Sequence, residues 1–168
     1  MTAEFTKVAE SLYMIDASYH GRRNILSTYL VRGKDVAVVD PGPMACIEGV
    51  MRGLGDLGVS PRDVKYVMAT HIHLDHAGGS WKLLEYCPNA RLYTHPRGVS
   101  HMVDPSRLVE AARKLFGDRV EDYGEVRGVN EAKVLGSEDN QRIDLGEGVT
   151  LMTVWTPGHA PHHQSYYD

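Results

Sequence analysis

The sequence THIHLDHAGG, residues 70–79, places potential metal ligands close together: His71, His73, Asp75 and His76. Imidazole and carboxylate groups are the ligands that zinc prefers, and iron and manganese also accept them. The run from Val64 to Ala69 before this stretch is short, mostly apolar and rich in residues that favour strands. The sequence therefore predicts a metal site on the loop that leaves a strand.

The spacing within this stretch supports a shared site. His71 and His73 are two residues apart, so in an extended segment their side chains point to the same side. Asp75 and His76 follow the turn and can approach from a second direction. The alternative is a polar loop that happens to be rich in histidine. It is disfavoured because chance clusters rarely have this ligand density at a strand end.

Composition limits the classes of function. The chain has 168 residues, 42% of them apolar, which is typical of one globular domain with a real core. Its 22 acidic and 18 basic residues give a net charge of −4, and no basic run favours nucleic-acid binding. No stretch approaches the length of a membrane span, and residues 1–11 lack the apolar segment of a signal peptide. Cys46 and Cys87 form no CxxC motif and are expected to be buried free thiols in a reducing cytoplasm.

Strands and helices alternate along the chain, which predicts an α/β fold. The expected strands in the first part are 5–8, 12–15, 25–31, 36–39, 64–69 and 91–94. Helices are expected from Pro43 to Gly58 and from Ala77 to Tyr86. The opening hairpins make the expected sheet mixed rather than wholly parallel. Three further strands, at 141–143, 149–156 and 164–167, complete one domain over residues 1–168.

Residues 96–131 differ in character and are interpreted as a helical insertion over the site. Asp104-Pro105 is a good helix start, and an apolar stripe ends at Gly117. The stripe comprises Leu108, Val109, Ala112, Leu115 and Phe116. The insertion would be a lid or a substrate wall. A surface helix packed on the sheet, with no role in substrate binding, explains the same pattern equally well.

A second motif, TPGHAPHH at residues 156–163, also follows a strand and places His159 directly after a tight turn. Together with the first motif and with VDPGP at 39–43, it makes the chain resemble the metallo-β-lactamase fold superfamily. The hydrolase branch of that superfamily includes hydroxyacylglutathione hydrolases and lactonases. The resemblance implies an αββα sandwich with one or two metal ions at one edge of its two sheets.

The resemblance also implies a role for each matching residue. His71, His73 and His159 match the ligands of a first metal, and Asp75 and His76 match ligands of a second. Asp40 matches a carboxylate that supports the ligands, and His163 a histidine near the site that is not a ligand. His162 stands where a glycine is frequent. The remaining histidines match no motif and are expected to be surface or structural residues: His20, His95 and His101.

This ligand set predicts hydrolytic chemistry. A divalent metal held by three histidines keeps a position for water and lowers the pKa of that water to about 7. Asp75 would orient this nucleophile and pass its proton to the leaving group. The expected substrate is a small ester, lactone or thioester. The expected cofactor is Zn²⁺, one or two ions per site, with iron or manganese as the other candidates.

One departure from the family concerns the second metal. In the family, a further half after the TPGH turn supplies a bridging aspartate and a last histidine, whereas this sequence ends at Asp168. We therefore expect a complete first site and an incomplete second one, in a chain that resembles an N-terminal half. A homo-oligomer or a partner chain would complete the fold.

Two other functions stay open at this point. The first is a mononuclear iron dioxygenase acting on sulfur compounds, because that branch shares the histidine motifs. The second is a non-catalytic metal-binding half-domain that needs a partner chain. A flavin-linked oxygen reductase is disfavoured, because His73 stands where that branch prefers a glutamate.

Overall fold

The computed structural model describes residues 4–168, in which ten strands form two sheets. The larger sheet has seven strands in the order β1-β2-β3-β4-β5-β6-β7, and the smaller has the order β10-β9-β8. The strands are β1 (Glu4–Lys7), β2 (Leu12–Asp16), β3 (Ser27–Arg32), β4 (Val36–Val39), β5 (Val64–Met68), β6 (Arg91–Thr94), β7 (Val134–Gly136), β8 (Arg142–Gly146), β9 (Val149–Trp155) and β10 (Gln164–Tyr167).

The larger sheet is mixed, as the sequence predicts. Strands β1 to β4 pair antiparallel, because short turns join them, and strands β4 to β7 pair parallel. All four residues of β4, Val36 to Val39, are buried, which agrees with a strand covered on both faces. The smaller sheet is wholly antiparallel.

Five α-helices and three 3₁₀ turns connect the strands. The helices are α1 (Ile47–Asp56), α2 (Leu74–Ala77), α3 (Ser80–Tyr86), α4 (Pro96–Val103) and α5 (Ser106–Phe116). The 3₁₀ turns are Met44–Cys46, Gly117–Tyr123 and Glu131–Lys133. None of the helices in the described part of the chain is long and apolar enough to cross a membrane.

Two hydrophobic cores lie on opposite faces of the larger sheet. One core joins that sheet to the helices, through residues such as Val50, Leu54 and Leu83. The other joins the two sheets, through residues such as Val31, Met68 and Leu151. The described residues therefore form three successive layers, one of helices and two of sheet. This order agrees with the mixed α/β fold and the sandwich that the family resemblance implies.

The structure corrects two expected elements. The helix expected from Ala77 to Tyr86 begins at Ser80 as α3, and Gly78 and Gly79 separate it from the short helix α2, which ends at Ala77. A Cβ on Gly79 would lie only 2.6 Å from Ile47 Cδ1 and 2.9 Å from the Gly42 carbonyl oxygen. The second correction is strand β7, which is not among the strands expected from the sequence.

The ends of the strands bring the two histidine motifs together. Strands β4 and β5 are parallel, so Asp40 and Thr70, which follow them, lie at the same edge of the larger sheet. Strand β10 then reaches this edge from the smaller sheet. Its Gln164 N–H donates to the Thr70 carbonyl oxygen at 2.8 Å, and the Tyr166 hydroxyl donates to the Ala69 carbonyl oxygen at 2.8 Å. Both sheets therefore hold the loop that carries the predicted ligands.

Candidate metal centre

Three predicted ligands, His71, His73 and His159, converge at this edge. One ring nitrogen from each lies within 4.8 Å of the others. His159 Nε2 is 3.1 Å from His73 Nδ1, and the rings of His71 and His73 are 4.6 Å apart between centroids. His71 is buried, His73 is half-buried and His159 is exposed, so the cluster opens to solvent on one side. Residues 86 positions apart in sequence thus bring their ring nitrogens close together.

The tautomer of His71 follows from its neighbours. The Thr70 hydroxyl donates its only proton to Asp40 Oδ2 at 2.7 Å. Its oxygen lies 3.0 Å from His71 Nδ1 and must therefore accept the proton on that nitrogen. His71 Nε2 is left with a free lone pair, and this buried atom has no hydrogen-bond partner among residues 4–168. A buried polar atom without a partner is costly unless a ligand satisfies it. Its position therefore fits a metal ion.

Asp40 organises both sides of the centre. Its carboxylate accepts from the Thr70 backbone N–H at 2.7 Å and from the Thr70 hydroxyl, and it lies 2.9 Å from His76 Nδ1. Its backbone is in the left-handed region, with φ of 50°, and is held by Thr28 and Met68. A carboxylate that fixes the orientation of ligand imidazoles is common around protein metals. This is the supporting position that the resemblance implies for Asp40.

Asp75 and His76 form a second pair of donors beside the three histidines. They begin the short helix α2, and His76 Nε2 lies 3.6 Å from Asp75 Oδ2. The His76 ring is 4.1 Å from the ring of His71. Because Asp40 faces His76 Nδ1, the other nitrogen of His76 faces Asp75. This pair offers two ligand atoms of the kind that the resemblance assigns to a second metal.

The electrostatic environment keeps the buried imidazoles neutral. Burial, together with the neighbouring imidazoles, lowers the pKa of His71 to about 3 and also lowers the pKa of His73. Burial also disfavours the charged form of His76. The hydrogen bond and charge of Asp40, with the charge of Asp75, outweigh this effect and raise the pKa of His76. His71 and His73 therefore hold free lone pairs at neutral pH, as metal ligands require.

The other histidines lie where a supporting or structural role is expected. His163 Nδ1 is 2.9 Å from the Thr156 hydroxyl, and its ring is 5.3 Å from that of His71. His162 Nδ1 faces the Ile72 N–H at 3.5 Å, between the first two ligands in sequence. His95 is buried and caps α4 by accepting from the Arg97 N–H. His20 is exposed and contacts the Asp122 carbonyl oxygen.

The sequence did not reveal the role of Thr70 or of strand β10. Thr70 joins Asp40 to His71, and its place directly before the first ligand is a signal that could have indicated this. Gln164 and Tyr166 hold the Ala69 carbonyl oxygen from the other sheet. No local signal indicates this, because the contact joins residues about 95 positions apart.

Comparison with known proteins identifies the family to which the fold belongs. The family model described as the metallo-beta-lactamase superfamily matches residues 20–168. Protein ST1585 of Sulfurisphaera tokodaii, a metallo-beta-lactamase fold-containing protein, is 28% identical over 84% of this chain and 52% of its own. Its crystal structure superposes with a TM-score of 0.79 over 94% of this chain and 60% of that chain.

Two enzymes are also similar in sequence. N-acyl homoserine lactonase AttM of Agrobacterium fabrum is 33% identical over 71% of this chain and 41% of its own. A hydroxyacylglutathione hydrolase of a Synechococcus strain is 32% identical over 83% of this chain and 42% of its own. The chain thus spans about half the length, or less, of the curated relatives it matches.

Proposed function

Because this chain belongs to the metallo-beta-lactamase superfamily, we propose that it is a metal-dependent hydrolase acting on an ester, lactone or thioester of a small molecule. The observation that carries the proposal is the convergence of His71, His73 and His159, with the buried Nε2 of His71 unpartnered. Lactonase and hydroxyacylglutathione hydrolase relatives support ester-like chemistry. Since the chain spans only part of these relatives, the activity of the whole protein belongs to the proposal.

The donor set favours zinc. Three imidazole nitrogens are a common set for catalytic zinc, and they leave a further position for water or substrate. A divalent ion bound there would supply a water that is activated at neutral pH. His71 and His73 lie on the loop that contacts both sheets, and His159 would close the set from the loop after β9.

Asp75 is the proposed proton carrier. Asp75 lines the same cavity as His73 and His159, which supports a role beside a water bound there. Asp75 would accept a proton from the attacking water and return it to the leaving oxygen or sulfur. His76, held by Asp40, keeps its Nε2 towards Asp75 and limits the orientations of that carboxylate.

The number of ligands at the second metal site distinguishes the proposed hydrolase from a non-catalytic metal-binding half-domain. Asp75 and His76 provide two ligand atoms, and a stable second ion needs more. We propose that a second ion, if it binds, takes its remaining ligands from residues outside the described part of this chain. The outer face of the smaller sheet is a candidate surface for association with a second copy or a partner chain, because it carries the neighbouring Met152, Val154 and Tyr167. Iron as the bound metal would instead favour the sulfur dioxygenase.

The cysteines support a cytoplasmic location within this proposal. Cys46 and Cys87 are both buried and unpaired. Burial raises the pKa of the Cys46 thiol to about 12 and that of Cys87 to about 11, which keeps both thiols protonated and unreactive. Buried free thiols are typical of proteins in reducing compartments.

The test is hydrolysis of a substrate panel. Zinc-loaded protein is assayed with an ester, a lactone and a thioester, before and after chelation, beside the variants Asp75→Asn and Asp118→Asn. We expect turnover that chelation removes and that Asp75→Asn lowers by about 10²- to 10⁴-fold. Asp118, exposed on the 3₁₀ turn after α5, is the matched control and should leave turnover unchanged. Turnover that resists chelation, or full activity of Asp75→Asn, would refute the proposal.

A further inference from the structure

A cavity of about 330 Å³ connects the histidine cluster with helix α5. His73, Asp75 and His159 line one end, and apolar side chains of α5 line the other, among them Leu115 and Phe116. Its volume falls at the lower end of the range for small-molecule sites. A substrate whose reacting carbonyl lies at the histidines would therefore extend its other end along α5.

Most of the apolar stripe of α5 lies outside the hydrophobic core. No residue of α5 is buried, and only Leu108 of its lining residues packs partly against the core. The Leu115 side chain is 75% exposed, and Phe116 is 47% exposed. Exposed apolar side chains that border a polar site are typical of ligand-binding grooves. The stripe therefore has an unsatisfied apolar face at the entrance to the candidate metal centre.

The cavity offers no cation to an anionic substrate. Among the described residues that line it, none is lysine or arginine, and Asp75 contributes a carboxylate. The cations of α5 near the cavity pair elsewhere: Lys114 with Glu110 at 2.6 Å and Arg113 with Glu121 at 3.6 Å. A substrate with carboxylates would find no lysine or arginine along the apolar wall and would meet a like charge, Asp75, at the histidine end. A neutral substrate would meet neither problem.

We infer that Leu115 and Phe116 bind the apolar arm of a neutral ester or lactone, and that this wall selects such substrates over anionic thioesters. The inference rests on the proposed function, since it places the reacting carbonyl at His73, Asp75 and His159. It makes α5 the element that determines substrate specificity. The substrate arm lies against the exposed face of the helix, so the length and polarity of the arm determine the affinity of the protein for the substrate.

Binding of neutral amides that resist hydrolysis tests this inference. N-butyl-, N-hexyl- and N-octylacetamide compete with the neutral fluorescent probe N-phenyl-1-naphthylamine on the purified protein. We expect affinity to rise by about threefold for each added methylene, because each one leaves water for the apolar wall. Leu115→Gln should weaken N-octylacetamide binding by about tenfold. Lys114→Gln, on the neighbouring exposed residue outside the cavity, should bind as the wild type does.

A second ligand pair tests the preference for a neutral over an anionic ligand. S-octylglutathione carries the same octyl arm on an anionic head, and we expect it to bind more weakly than N-octylacetamide. Equal binding of the three amides, unchanged binding by Leu115→Gln, or preference for S-octylglutathione would overturn the inference. Analytical ultracentrifugation tests the alternative that a second copy of the chain covers this face. If Leu115→Gln abolished self-association but left amide binding intact, that alternative would replace the inference. None of these readouts needs turnover, so absent hydrolysis would count against the proposed function alone.

Discussion

At the scale of single residues, a short chain of hydrogen bonds controls the centre. Asp40 accepts the Thr70 hydroxyl proton, and the Thr70 oxygen in turn accepts from His71 Nδ1. This arrangement turns the lone pair of His71 Nε2 towards the other ligands. Asp40 also faces His76 Nδ1, so one carboxylate fixes an imidazole on each side of the site. The ligands are therefore oriented before any metal arrives, which favours tight binding.

Replacing Asp40 tests this orientation. Asp40→Asn keeps the residue size and tolerates the positive φ, but an amide has only one accepting oxygen. It cannot replace both carboxylate oxygens, one of which accepts from the Thr70 N–H while the other faces the Thr70 hydroxyl and His76 Nδ1. We expect metal affinity to fall by about 10- to 100-fold in a chelator competition titration. Asp35→Asn, at the other end of β4, is the matched control. Equal affinities of Asp40→Asn and wild type would show that Asp40 does not orient the ligands.

The lowered pKa of His71 predicts how the metal-free protein responds to acid. Folding lowers the pKa of His71 from 6.5 to about 3, chiefly through burial. Between these values the unfolded chain binds a proton that the folded chain does not. Stability is therefore complete above pH 6.5 and is lost as the pH falls towards 3. From pH 7 to pH 5, His71 alone should lower the free energy of unfolding by about 2 kcal/mol.

Urea denaturation of chelator-treated protein at pH 7 and pH 5 measures this loss. In His71→Gln the difference between the two pH values should shrink by about 2 kcal/mol, because the buried imidazole is gone. His20→Gln, on an exposed loop, should keep the wild-type difference. An identical pH dependence in wild type and His71→Gln would contradict the assignment of a buried neutral imidazole.

At the scale of elements, helix α1 shows how closely the helical layer approaches the sheet. A Cβ on Gly49 would lie 2.0 Å from the Ala17 carbonyl oxygen, so only glycine fits there. Gly55 lies on the exposed side of the same helix, and a Cβ there would meet no atom within 4 Å. The same substitution at these two sites therefore has opposite expected effects.

Thermal or urea unfolding of the two alanine variants measures this difference. Gly49→Ala should destabilise the fold by about 1–3 kcal/mol, because the methyl group has to displace backbone. Gly55→Ala should stabilise it by about 0.5–1 kcal/mol, because alanine favours the helix more than glycine does. If Gly49→Ala were as stable as Gly55→Ala, α1 could not lie as close to Ala17, the residue after β2, as the structure describes.

Elements with a clear apolar pattern, either a continuous run or a helical period, could be predicted from the sequence, and elements without one could not. Strand β4 is continuously apolar, and α5 has a strong apolar stripe after Asp104-Pro105, so both could be placed from sequence. Strand β7 has three residues, too few for a period, and it forms only through pairing with β6. The exposure of Leu115 and Phe116 was equally unpredictable, because a stripe that faces a cavity has the same spacing as one that faces a core.

At the scale of the whole molecule, the candidate centre depends on the meeting of two sheets. His71 and His73 follow β5 of the larger sheet, and His159 follows β9 of the smaller one. The candidate ligands could be named from the sequence because both motifs are local. Their convergence was predicted only through resemblance to a family, since the contacts of Gln164 and Tyr166 with Ala69 join distant segments. Folding of the two sheets together is therefore a condition for metal binding.

The most direct test of the account is the metal content of the purified protein after dialysis, measured by elemental mass spectrometry beside its oligomeric state. We expect about one zinc ion per chain, held by His71, His73 and His159, and a loss of that ion in His159→Ala. His101→Ala, which removes a histidine outside the cluster, should keep it. A wild-type protein that binds no metal, or a His159→Ala variant that binds as much as the wild type, would contradict the account.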